Sequence, residues 1–249
     1  MRSGAEAGHR VFFLAPPWPA PGGEAVLSAE ESRHALRAMR LGPGDELQLV
    51  DGAGRQAAAV AVAARGGRLR VRLGPPEGSP GEGRLAGRLA LPLLRSAARM
   101  DWAVEKATER GAAAFEVYAA DRSLKGAARA REARCKRWER VSLAAVKQCG
   151  RALCPPVRLH ADLGALLGAL PAARLLAADP GGQTEPPADW LAQAAVERLL
   201  LAGPEGGWSE RELGLLAARG AARLGLGPRR LRAETAAAAL CAVVAARTG

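Results

Sequence analysis

The chain has 249 residues, 49% hydrophobic and 24% charged, a balance that suits one large globular domain or two modest ones with a real core. No apolar run is long enough to span a bilayer, and the opening MRSGAEAGHR has no apolar segment behind its charge, so neither a membrane anchor nor a signal peptide is expected and a cytoplasmic location is. The formal charge of +11 is almost all arginine, since only four lysines occur (Lys106, Lys125, Lys136, Lys147); codon usage accounts for part of it, but the shortage of acids favours a nucleic-acid partner.

The chain opens on β-like sequence. Runs at residues 10–14, 46–50, 57–63 and 68–73 are separated by the turn signals Gly42-Pro43-Gly44-Asp45, Asp51-Gly52-Ala53-Gly54 and Gly66-Gly67, which predicts a small barrel. A helix is predicted over residues 28–39, with Ser28 as N-cap and Glu31 as its capping-box partner. Residues 74–83, GPPEGSPGEG, show no apolar period and read as a linker. Beyond them the pattern changes. Strand-like runs at 88–94, 114–119, 174–178 and 198–202 alternate with helix-like runs at 97–110, 127–148, 210–219 and 233–246, the signature of a largely parallel α/β sheet. The four cysteines (Cys135, Cys149, Cys154, Cys241) form no CxxC pair, and with His160 they match no usual zinc spacing; neither a metal nor a disulfide is predicted.

Two stretches carry chemistry. In LLLAGPEGGWSERE (199–212) an apolar strand runs into Gly203-Pro204-Glu205-Gly206-Gly207, and a helix follows with Ser209 as N-cap and Glu212 as capping-box partner. Ligands of open α/β sheets bind at the carboxyl ends of strands, and adjacent glycines admit a ligand against bare backbone. No Gly-Lys-Ser/Thr follows and no GxGxxG is present, so this is neither a phosphate loop nor a dinucleotide fingerprint. In LGPRRLRAETA (226–236) a Gly-Pro turn leads through Arg229, Arg230 and Arg232 to Glu234, Thr235 and an Ala-rich helix. Glu234 suits a helix N-terminus on electrostatic grounds alone, and that role is compatible with a ligand role.

Together these stretches resemble the ribosomal RNA uridine N3-methyltransferases of the SPOUT superfamily. Other landmarks appear in order: HRVFF (9–13), HALRAMRLG (34–42), Gly44-Asp45, Asp51-Gly52, EKATERG (105–111), Arg122-Ser123, Arg137-Trp138, and Gln148, Arg151 and Pro155 as Gln-x-x-Arg-x-x-x-Pro. Arg110 and Arg230 depart from the pattern, each standing where the family places an apolar residue.

The resemblance implies a PUA-like β-barrel over residues 1–73, the linker at 74–83, and a SPOUT methyltransferase domain over 84–249 that holds a C-terminal trefoil knot. It implies S-adenosylmethionine as cofactor, 16S ribosomal RNA in the small subunit as partner, and a homodimer. The matching cofactor loops are Ala202, Gly203, Pro204, Glu205, Gly206 and Gly207, then Leu226, Gly227, Leu231 and Arg232, with the loop Ala178-Asp179-Pro180, at the end of an apolar strand, as a third candidate. N3 of uracil must lose a proton during transfer, so a base or a cation beside the developing anion is required. Arg232 is the first candidate for that cation and Glu234 the nearest carboxylate, either as base or as the ion-pair partner of Arg232. His34, Arg37 and Arg40 at helical spacing, with Arg122, Gln148 and Arg151, are candidate RNA contacts. A different SPOUT chemistry (ribose 2′-hydroxyl or transfer-RNA base) and a non-catalytic RNA-binding assembly factor are the competing readings.

Overall fold

A computed structural model describes residues 10–78, 82, 87–122, 131–183, 185–188 and 197–248. His9 and Ser123 of the landmarks, residues 79–81 and 83 of the expected linker, and residues 127–130 of the expected third helix lie outside the described residues. Two compact units emerge: Met1–Glu82 with Val146–Cys154, and Gly83–Ala145 with Pro155–Gly249. The segment Val146–Cys154, expected in the second domain, thus clusters with the first.

The first unit is a five-stranded mixed sheet. Its strands are β1 (Val11–Phe13), β2 (Glu24–Val26), β3 (Glu46–Val50), β4 (Arg55–Arg65) and β5 (Arg68–Gly78), in the order β1-β3-β4-β5-β2. Only the β1–β3 pair is parallel. Alternation along β4 and β5 turns Ala59, Ala61, Leu69, Val71 and Leu73 inward onto Phe12 and Leu27. The expected linker begins too early: Gly74 to Gly78 continue β5, with Pro76 opposite Ala57 beside a register shift in β4, where the missing N–H of proline is tolerated.

The helix at residues 28–39 is two pieces, α1 (Ala29–Arg33) and a π-helical turn over His34–Ala38 closed by Met39 N–H to His34 O at 3.1 Å. Ser28 caps it, but the reciprocal half of the capping box is not formed. The Glu31 carboxylate turns instead to Lys147, at 2.6 Å.

The second unit is a six-stranded sheet in which every pairing is parallel. Its elements in order are β6 (Gly87–Pro92), α2 (Ala97–Glu109), β7 (Ala114–Tyr118), α3 (Arg131–Cys149, whose last turn counts with the first unit), β8 (Val157–His160), α4 (Leu163–Ala169), β9 (Arg174–Gln183), β10 (Arg198–Leu201), α5 (Glu210–Ala218), β11 (Ala222–Leu224) and α6 (Ala233–Thr248). The strand order β11-β9-β10-β6-β7-β8 puts the reversal of direction between β10 and β6. Alternate residues of β10 feed two cores: Leu200 packs with Met100, Val104 and Leu240 on one face, Leu199 and Leu201 with Leu163, Leu166 and Leu216 on the other. Burial on both faces is why the parallel strands read as unbroken apolar runs.

Glu116 of β7 is an exception in that interior. Its carboxylate, 1% exposed, receives Arg88 at 2.7 Å, Arg158 at 3.0 Å and His160 Nε2 at 2.6 Å from the flanking strands. Removing the acid would leave Arg88 with Glu197 as its remaining counter-charge and would take away the carboxylate that His160 and Arg158 share. Glu116→Ala is expected to cost about 1–3 kcal/mol in urea denaturation, whereas truncating the half-exposed Arg158 should cost less than about 1 kcal/mol. Equal losses would show that the cluster is not organised around the carboxylate.

Candidate functional site

The loops that leave β10 and β11 meet beside β9 around a cavity of about 310 Å³; Ala178, Asp179 and Pro180 line it from within β9, which runs on to Gln183 where a loop was expected. Of the residues assigned to a cofactor from sequence, Ala178, Gly203, Pro204, Glu205, Gly207, Leu226, Gly227, Leu231 and Arg232 line it. Two do not. Ala202 is fully buried beneath the cavity, its N–H donating to Ala90 O and its carbonyl accepting from the Tyr118 hydroxyl at 3.2 Å. Gly206 faces away: a Cβ there would stand 3.1 Å from Cβ of Arg122, whose guanidinium donates to Gly206 O at 2.9 Å. Gly207 holds φ +72° on the lining itself, where a side chain is strained.

Asp179 and Pro180 of the third candidate segment line it too, whereas Arg99, Trp208, Ala233 and Ala236 on the same lining were not expected from the sequence. Trp208 lies parallel to Tyr118, ring centroids 6.3 Å apart. Asp179 accepts from Arg223 and from Gly181 N–H, and the Arg223 hydrogen bond above all holds its carboxyl below the usual range. Arg99 reaches in from the first turn of α2. It pairs with Glu205 at 2.9 Å and with Glu234 at 3.5 Å. Glu234 therefore does not line the cavity and does not pair with Arg232. It is buried, with Arg99 as its ion-pair partner and Oε2 unpartnered among the described residues. The guanidinium of Arg232 is exposed on the lining and has no carboxylate partner among the described residues. Both departures from the family pattern are benign in packing terms. Arg110 is the exposed C-cap of α2, where a cation suits the helix dipole, and Arg230 is exposed on the lining.

The first loop is anchored through α5. Ser209 and Glu212 form the expected capping box, and the buried Glu212 also accepts from Asp121 N–H at 3.1 Å, tying the end of β7 to the start of α5. Asp121 in turn takes Arg211 and the Ser209 hydroxyl at 2.5 Å each. Those two hydrogen bonds, Arg211 first, hold the Asp121 carboxyl at about 2.

The candidate RNA contacts divide. His34, Arg37 and Arg40 are exposed, but the π-helical turn and the left-handed Arg40 (φ 53°) replace the regular helical spacing. Gln148 and Arg122 are both exposed, the latter engaged with the Gly206 carbonyl. Arg151 is a correction: 4% exposed, it is held by Glu82 at 2.9 Å, and Glu82 also accepts from the N–H groups of Ala152 and Leu153. Its guanidinium braces a turn and is not presented to RNA. The positive charge is also unevenly placed, because residues 1–82 hold 10 Lys and Arg against 9 acids, whereas residues 83–249 hold 26 against 16.

Residues 84–245 match the profile of RNA methyltransferase domains, and residues 27–73 that of RNA methyltransferase PUA domains. The chain is 34% identical over 255 aligned residues to ribosomal RNA small subunit methyltransferase E of Mycobacterium bovis, covering 96% of this chain and 92% of that protein, with the same figures for Mycobacterium tuberculosis. A Legionella pneumophila structure, solved as a methyltransferase with bound S-adenosylmethionine, superposes with a TM-score of 0.81 at 26% identity over 95% of this chain and 97% of that one. The fold is also that of ribosomal RNA small subunit methyltransferase E from Neisseria gonorrhoeae bound to S-adenosylmethionine, with a TM-score of 0.78 at 24% identity over 94% and 95% of the two chains.

Two outcomes are expected. Gly207→Ala, strained by about 1–2 kcal/mol at positive φ, should weaken binding of S-adenosylmethionine about tenfold or more in calorimetry. Gly206→Ala, which displaces Arg122 by a few tenths of an ångström, should change it little; the reverse order would misplace the cavity. Asp121, with its folded value at about 2 below the ordinary carboxylate value of about 3.9, adds stability that is complete above about pH 4 and lost as pH falls through about 2. Asp121→Asn should therefore lower the denaturation midpoint at neutral pH and flatten its fall over that acid window, and a parallel fall in both chains would deny Asp121 this part.

Proposed function

Because the chain belongs to the family of ribosomal RNA small subunit methyltransferase E, we propose that it uses S-adenosylmethionine to methylate N3 of a uridine in 16S ribosomal RNA. The observation that carries this reading is the cavity between the two sequence-predicted loops, at the carboxyl ends of β10 and β11 and alongside β9.

The residues present fit that cofactor. A volume of about 310 Å³ lies at the lower end of the range for small-molecule sites. Ala178, Pro204, Trp208, Leu226 and Leu231 offer apolar walls for an aromatic base. Asp179 suits an ammonium or sulfonium, and the arginines of the second loop suit a carboxylate. The bound cofactor supplies an electrophilic methyl group. The chain itself must orient the uracil and stabilise charge as N3 loses its proton. Arg232 suits the second of these roles, since its guanidinium is exposed at the cavity and is not committed to Glu234. A fixed cation there stabilises the oxygens beside N3 more as they gain charge than before, and so acts on turnover. Glu234, buried behind the lining with Oε2 unpartnered among the described residues, is the candidate proton acceptor.

A homodimer belongs to the same reading. Helix α6 carries no charge between Glu234 and Arg247, and Ala236, Ala238, Ala239, Ala242 and Val243 remain only partly covered, as expected of a helix that meets a second apolar surface. Exposed Trp102 on α2, which packs against α6, extends that surface. We likewise read the loops around β9 to β11 as the knot of the SPOUT fold, the excess charge of residues 83–249 as the main RNA-facing surface, and the cytoplasm as the location.

The test uses small ribosomal subunits from a strain lacking the endogenous activity and cofactor labelled in its methyl group. Digested RNA should release label as N3-methyluridine. Label in a 2′-O-methylated nucleoside or in transfer RNA would replace the reading with another methyl-transfer chemistry, and no label with intact RNA binding would leave an assembly factor. On the same substrate Arg232→Ala should lower the saturated single-turnover rate about 100- to 1,000-fold, with Arg232→Lys recovering part of the loss. Near-normal saturated turnover with weak cofactor binding would reduce Arg232 to a loop brace.

A further inference from the structure

An arginine in the first turn of a helix faces the positive end of the helix dipole and is disfavoured there unless something compensates. The first turn of α2 contains no acid, and Ser96, its N-cap, already serves the Arg99 N–H at 3.4 Å. Compensation for Arg99 comes from elsewhere in the chain. One carboxylate, Glu205, belongs to the loop after β10, and the other, Glu234, to the first turn of α6 behind the loop after β11. These are the two loops that close the cavity, and Arg99 itself lies on the lining between them.

We propose that Arg99 is a positioning residue: one guanidinium clamps the two cofactor loops together and holds the Glu234 carboxylate in place for methyl transfer. The planar fork of arginine permits this, since Nη1 serves Glu205 while Nε faces Glu234. Glu234 depends on it more than Glu205 does. Its side chain is 9% exposed and Oε2 has no hydrogen-bond partner among the described residues, so Arg99 is the ion-pair partner that balances its charge. Glu205, with its side chain 27% exposed, retains access to water. The remaining charged groups on the lining, Asp179, Arg229, Arg230 and Arg232, are not paired with either acid. The clamp thus has two separable arms. The Glu205 arm acts on cofactor affinity by holding the first loop closed. The Glu234 arm acts on turnover by fixing the buried carboxylate behind the second loop, and this arm rests on the proposed reaction.

A double-mutant cycle separates them. Arg99→Met, Glu205→Gln, Glu234→Gln and the two doubles containing Arg99→Met are compared for cofactor affinity by calorimetry without RNA, and for single-turnover rate at saturating cofactor on small ribosomal subunits. Arg99→Met should weaken affinity about tenfold and slow saturated turnover about tenfold, typical of couplings between contacting residues. Each loss should fall below about twofold in the background lacking its own acid: affinity in Glu205→Gln, rate in Glu234→Gln. Arg99→Lys, which keeps the charge but not the fork, should recover one arm better than both, and it substitutes for Arg99→Met should that variant not fold. Undiminished losses in both backgrounds, or a lowered melting temperature with affinity and saturated rate intact, would overturn the clamp. Failure of the parent chain to methylate ribosomal RNA would instead count against the proposed reaction, and the affinity half of the cycle would still judge the Glu205 arm.

Discussion

The parallel pairing of β10 between β9 and β6 is the constraint on which the rest of the second unit depends. Four residues, Arg198–Leu201, are buried on both sides and in register with both neighbours, so the point at which β10 ends is fixed to within a residue. A one-residue slip would exchange the Leu200 core for the Leu199 and Leu201 core. Ala202 continues that order one step further through its bond to Ala90, and the first loop starts from a rigid base. The second loop inherits its position through β11, which pairs with β9 and crosses it so closely that a Cβ on Gly182 would meet the backbone of Leu224 at 2.6 Å. Bare backbone at that crossing brings the second loop beside the first.

Buried carboxylates then do the local fixing, each in a different way. Glu212 commits both oxygens to backbone N–H groups and secures the start of α5. Glu116 gathers cations from both flanking strands and serves the sheet. Glu234 alone of the three keeps a buried oxygen unpartnered among the described residues, and it stands two residues after Arg232 of the lining. A buried polar atom left without a partner is costly, and at Glu234 that cost falls directly behind the second loop.

How much of this was legible in the sequence follows from the range of each interaction. The β10 strand, its loop and the Ser209–Glu212 box could be read because the apolar run and the three-residue spacing are local signals. Strand β8, helix α4 and strand β11 escaped notice because each is short and carries polar or glycine residues inside it. The proline-rich end of β5 was misread because a strand edge beside a register shift tolerates what usually marks a linker. Arg99 escaped because its partners lie 106 residues away and beyond. Arg151 was misassigned for the same reason, its carboxylate partner Glu82 being 69 residues distant. The family landmarks located the loops, but only the packing shows that Gly206 faces Arg122 while Gly207 faces the cavity.

The central claim is that the cavity bounded by these two loops is where the cofactor binds. Hydrogen–deuterium exchange with and without S-adenosylmethionine tests it most directly, because amides in both loops are exposed to solvent until a ligand covers them. The account predicts protection of residues 203–208 and 226–232 together, with the amides of β3, β4 and β5 unchanged. Protection centred on the first unit, or on one loop with the other untouched, would contradict it.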